Sequence, residues 1–145
     1  MTRPSGASAP STAVRSDGTV IELYPLACEI CARFYDRFPE ELERSGDAGT
    51  DWCRHDNQYL LAWAIQEARD GTVSLAEQAV WLARVLGNRG FPVEQLADNL
   101  VIASDLVRDR DELGALGEPA AQALAAGAVA VRDVAIHLAE NPVER

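Results

Sequence analysis

The chain contains no lysine, and its 13 arginines stand against 23 acidic residues for a net charge of −10 over 145 residues. Arginine as the only strong cation, alongside 24 alanines, marks a codon-biased genome more than a selected surface. So little positive charge leaves no basic patch able to displace phosphate counterions, which argues against nucleic-acid binding. It equally opposes docking on anionic lipid. No apolar run approaches the roughly 20 residues needed to span a bilayer. Met1 to Ala13 lacks the apolar stretch of a secretion signal. A soluble, acidic, cytoplasmic protein is expected, with neither nucleic acid nor membrane as a partner.

Several motifs are missing too. There is no glycine-rich phosphate loop, no nucleophile elbow and no His-Glu-x-x-His. No Glu-x-x-His pattern offers a di-iron site. The carboxylate runs Glu40-Glu41 and Asp109-Arg110-Asp111-Glu112 read as solvated helix faces, since no acid stands among conspicuously apolar neighbours that would raise its pKa. Nothing here assigns a reaction, so a non-catalytic role is expected, with a small-molecule enzyme as a remaining alternative.

What is present is a globular composition, 48% hydrophobic and 25% charged. A single domain of this length can bury roughly two-thirds or more of its unfolded surface. Residues 1–19 are rich in Pro, Ser, Ala and Gly without periodicity and read as a disordered tail, leaving 20–145 as the folded domain. Strand signals are nearly absent. Leu26, Ile30, Phe34 and Phe38 recur every four residues and predict a helix over 26–38, stopped by Pro39. Glu40 to Arg44 adds a further turn before Ser45-Gly46-Asp47 breaks it. A second helix is predicted from Thr50 or Asp51 to Arg69, ended by Gly71. Ser74-Leu75-Ala76-Glu77 is a capping box opening the third, with Asn88-Arg89-Gly90 as its stop. Pro92 opens the fourth, which frays through the charged run at 108–112. Gly114 to Gly117 reads as a loop, and Glu118-Pro119 opens an alanine-rich fifth helix that Asn141-Pro142 ends. The fold class is therefore all-α, a compact bundle of about five helices with antiparallel neighbours across its short connections.

The residues that could carry chemistry are few. Cys28-Glu29-Ile30-Cys31, Cys53 and His55 give a formal C-x2-C-x21-C-x-H pattern, and zinc asks for four such ligands to converge. Cys28 and Cys31 share a helical face, but Cys53 and His55 diverge by about 200° if both lie on a helix. Convergence would need the second helix to start after His55. The other readings are small buried hydrophobes or a transient redox pair. His137 suits the last turn of its helix as a cation. Trp52, His55 and Tyr59 fall on one helical side, and with Trp63 and Trp81 they make an aromatic set in a chain with only 6% aromatics. Such a set is core, or a pocket or partner-facing patch. One histidine among aromatic walls could also hold a haem.

Asp56-Asn57-Gln58-Tyr59-Leu60-Leu61, the apolar stripe over 75–86, Arg89-Gly90-Phe91-Pro92-Val93 and Leu96 to Leu100 form a pattern already seen in regulators. Together they resemble the helical bundle that precedes cobalamin-binding domains in bacterial regulators. They are also similar to the globin-like sensory heads of RsbR-type stressosome regulators. The resemblance spans about residues 26–110 and implies a regulatory or sensory bundle, globin-like in the second case, that binds a protein partner or a small apolar ligand. The Asp-x-His-x-x-Gly ligand motif of the cobalamin-binding half is missing, since His55 stands in Cys-Arg-His-Asp and His137 in Ile-His-Leu. The expectation is a homodimeric module without a bound cofactor, with zinc, haem and cobalamin as the candidates left open. Its site would be Trp52, His55, Tyr59, Trp63 and Trp81, or Cys28, Cys31, Cys53 and His55 if a metal is held.

Overall fold

A computed structural model of the chain describes residues 9–140, and the Asn141-Pro142 stop lies outside them. Two short strands come first, β1 Thr12–Val14 and β2 Val20–Glu22, paired antiparallel with Ala13 opposite Ile21. This corrects the reading of residues 1–19 as a tail throughout. The pairing holds because alternation sends Ile21 inward, where it is fully buried, while Val20 and Glu22 face out. Asp17 accepts a hydrogen bond from the Thr19 amide at 2.9 Å and closes the turn. Gln58 and Arg69 donate to the carbonyls of Pro10 and Val14 at 3.1 and 2.9 Å, tying the hairpin to a helix.

Among the described residues, five α-helices follow: α1 Leu23–Arg37, α2 Pro39–Asp70, α3 Leu75–Asn88, α4 Val93–Arg108 and α5 Gly117–Glu140. The all-α bundle is thus the fold. Helix α1 buries Leu23, Leu26, Ala27, Ile30, Cys31 and Phe34, the three- and four-residue spacing of one helix face. Pro39 ends it and opens α2. Helix α2 starts eleven or twelve positions before the predicted second helix, because the chain stays helical on both sides of Gly46 rather than unwinding from 45 to 50. Gly46 alone leaves helical geometry, with φ 62° and ψ −153°, a conformation essentially confined to glycine. Gly71 ends α2 in the left-handed conformation, its N–H on the Glu67 carbonyl. Ser74 caps α3 through its hydroxyl on the Glu77 amide at 3.2 Å, and Glu67 of α2 takes the next free amide, Leu75, at 2.7 Å. The expected loop at Gly114 to Gly117 is mostly a short 3-10 helix, Asp111–Leu116, whose Leu113 and Leu116 are buried.

Contacts along the helices set their directions. Asp98 pairs with Arg132, the Ser104 hydroxyl donates to the Ala121 carbonyl at 2.7 Å, and Arg108 pairs with Glu118, so α4 and α5 run antiparallel. Leu75 approaches Gly127 and Leu138 approaches Gly87, so α3 and α5 run parallel. Helix α5 brings its alanines 120, 121, 123 and 128 into the core with Leu124 and Val131. That alanine richness bears on the membrane expectation. By length and composition alone the helical stretch Asp111–Leu138 could cross a bilayer, since it holds an 18-residue window of mean hydropathy 1.2, although charged residues interrupt it as an apolar run. In this fold its small side chains serve close packing against α3 and α4.

Candidate functional site

The kink at Gly46 turns the first limb of α2 so that Glu41, Arg44 and Ser45 face Tyr35 and Phe34 of α1 across a cleft of about 660 Å³. The second limb supplies Trp52, Cys53, Asp56 and Asn57, the turn after α3 supplies Arg89 and Phe91, and α4 supplies Leu96 and Asn99.

Its floor is an amide pair. Asn57 and Asn99 are buried and exchange side-chain hydrogen bonds of 3.1 and 2.8 Å between α2 and α4. The Asn57 amide also donates to the Cys53 carbonyl at 3.0 Å, with the sulfurs of Cys31 and Cys53 at 3.5 and 3.6 Å. Satisfied in this way, a polar pair in an apolar interior costs little and fixes the register of two helices. A hydrogen bond with the Cys31 thiol, and then burial, hold the Cys53 thiol well above its ordinary pKa. Burial, and then Cys53, push the Tyr35 hydroxyl up as well. Both groups are therefore neutral at pH 7 and present a hydroxyl and a thiol rather than anions.

The walls carry charge. Glu41 is only 5% exposed and is held by Arg44 at 2.6 Å. Asp56 lies 3.2 Å from His55 Nδ1, and burial raises its pKa against the opposing pull of His55 and Arg89. The Arg89 guanidinium sits 5.8 Å from the Trp52 ring centroid. Glu41, read in sequence as part of a solvated face, is thus enclosed, and Asp56 is partly enclosed beside it.

No family model, no curated protein and no solved structure matches the chain.

Of the aromatic set, Trp52, His55, Tyr59 and Trp63 form a continuous ladder along α2, with ring centroids 5.2, 5.2 and 5.4 Å apart in turn. Trp52 heads the ladder and alone of the four lines the cleft. Trp81 stands apart on α3, 57% exposed. Cys31 and Cys53 meet at Asn57, while His55 is engaged by Trp52, Tyr59 and Asp56 outside the cleft lining. Helix α2 passes through both Cys53 and His55, so the condition for convergence with Cys28 and Cys31 is not met. Among the described residues no group of three or more His, Cys, Asp or Glu is arranged to hold a metal ion. Tyr35, Glu41, Arg44, Asn57, Arg89, Phe91 and Asn99 were not among the sequence-predicted site residues. The one available signal was an asparagine inside each apolar stripe, Asn57 before Leu60-Leu61 and Asn99 before Leu100.

Proposed function

We propose that this chain is a non-catalytic regulatory or sensory module that binds a small, largely apolar ligand in the cleft headed by Trp52. The cleft itself carries the reading. Its volume of about 660 Å³ falls among small-molecule sites, which run from roughly 300 to 1,000 Å³ and pair apolar walls with a few fixed polar groups. Phe34, Trp52, Leu60, Leu86, Phe91 and Leu96 supply such walls. A paired, neutral amide floor suits recognition better than proton transfer. The likeness to sensory bundles of bacterial regulators points the same way, with ligand occupancy read out through the position of the hinged first limb of α2.

Thermal melts with a panel of small apolar and amphipathic molecules test the reading, with Leu86→Trp as the control that fills the cleft from a half-buried wall position. Saturable stabilisation of the native chain that Leu86→Trp abolishes is the expected result. Equal responses, or none, from both proteins would remove the cleft as a ligand site.

A second reading, recognition of a protein partner or a second copy of the chain, draws on Trp81, Val129 and Ile136. Each is more than half exposed, on the parallel helices α3 and α5. Native mass spectrometry of the wild type and of Trp81→Ser decides it. A dimer lost in the variant supports the reading, and a monomer in both leaves the cleft as the functional feature.

A further inference from the structure

The charges of the cleft are sorted by depth. The Glu41 side chain is 7% exposed and that of its partner Arg44 is 54% exposed. The Asp56 side chain is 22% exposed, while Arg89 is an exposed residue at the mouth. Carboxylates thus lie inside and guanidiniums outside. An arginine at the rim can turn into solvent and keep its hydration, whereas Glu41 cannot reach water without moving the kinked limb of α2. A ligand that enters meets the carboxylates once the arginines swing away.

The walls agree with that polarity. Phe34, Tyr35, Trp52 and Phe91 are four of the nine aromatic residues in the chain. Aromatic faces attract cations, and the Arg89 guanidinium over Trp52 shows that this wall accommodates one. The net charge of −10 adds a long-range field that draws cations and repels anions, and a low-dielectric cleft focuses it. A carboxylate or phosphate ligand would have to lie against Glu41 and Asp56 in order to fill the interior. An uncharged ligand would leave the Arg44–Glu41 pair as it is.

We infer that the cleft selects an organic cation, an amine or ammonium group on an aromatic or aliphatic body, with Glu41 and Asp56 as its counter-ions and Trp52 and Phe91 as its walls. The inference rests on the reading of the cleft as a small-ligand site and names the chemical class of that ligand. The ammonium group takes the place of the Arg44 guanidinium on Glu41, one cation for another, while Asp56 keeps its contact with His55 and adds its charge to the same wall. Asp56 meets this requirement best in its charged form, which the entering cation itself stabilises against the effect of burial.

Three probes with one body and different charge test it by calorimetry at low salt: 2-naphthylmethylammonium, 2-naphthylmethanol and 2-naphthylacetate. The ammonium compound is expected to bind about tenfold more tightly than the alcohol, with the acetate weakest. Glu41→Gln and Asp56→Asn should each weaken the ammonium compound about tenfold and leave the alcohol within about twofold, so the alcohol also reports that each variant is folded. An alcohol or acetate that binds as well as the ammonium compound overturns the charge selection and leaves the cleft reading standing. No binding by any of the three to the wild-type chain overturns both.

Discussion

Asn57 of α2 and Asn99 of α4, 42 positions apart in the chain, donate and accept through both side-chain amides at 3.1 and 2.8 Å. This reciprocal pair pins the second limb of α2 against α4 directly beneath the cleft, and it sets up the first prediction. Asn99→Leu leaves the buried Asn57 side-chain oxygen without its donor, at a cost of about 1–3 kcal/mol. Replacing both asparagines by leucine removes the orphaned group and should recover much of that loss. A double-mutant cycle from urea melts measures the coupling, and purely additive losses would mean that the pair does not act as a unit.

Gly46→Ala tests the hinge. The glycine holds φ 62° and ψ −153°, where a side chain costs on the order of 1–3 kcal/mol in backbone strain. Because open space surrounds the position where its Cβ would stand, the cost is conformational and not steric. The variant should melt earlier and bind the naphthyl alcohol more weakly, because the same hinge places Glu41, Arg44 and Ser45 along the cleft. Unchanged stability would show that the first limb re-forms without its kink.

Asp56 gives a pH signature. Burial raises its pKa in the folded chain, so its charged form costs stability at pH values above the folded pKa. As pH falls through that value toward the unfolded one, the folded state takes up the proton first and the cost is relieved. Asp17 and Asp70 act oppositely, since hydrogen bonds from Thr19 and Thr72 hold their pKa values low, and the stability they add is lost on acidification. Asp56→Asn removes only the first contribution. Its Tm should equal or exceed that of the wild type at pH 7, with the advantage shrinking toward about pH 4. An advantage that grows on acidification would contradict the assignment.

Trp63 and Trp81 separate core from surface. Trp63 packs against the buried cluster at the end of the aromatic ladder, whereas Trp81 is 57% exposed. Trp63→Ala should cost at least about 2 kcal/mol through lost burial and a cavity. Trp81→Ser should stay within about 0.5 kcal/mol. Chemical denaturation of the two variants checks the contrast, and equal losses would place Trp81 in a packed site.

Gly127 marks the crossing of α5 with α3. A Cβ there would stand 2.5 Å from Leu75 Cδ1, and Leu75 is fully buried, so its side chain must shift within the packed core. Gly127→Ala should therefore destabilise by about 1–3 kcal/mol even though alanine favours helix elsewhere. A stabilised variant in a thermal melt would mean that Leu75 finds another rotamer.

Local chemistry made most of the helices legible in the chain itself. Pro39, Gly71, the Ser74 cap, Gly90 and Pro92 act within one helical turn, so each boundary they set needs no distant contact. The four-residue recurrence of Leu26, Ile30 and Phe34 likewise marks a buried face wherever that face finally packs. The hairpin was not legible, because three-residue strands carry too short an alternation and β1 is held by pairing and by Gln58 and Arg69 from far along the chain. Nor could periodicity show that Glu41 is buried, since its burial depends on a single glycine turning one limb of α2 back over the bundle. The cleft belongs to that second group. Its floor joins α2 to α4 and its walls come from four helices and a turn, and only packing of the whole chain brings side chains so distant in sequence within reach of one ligand.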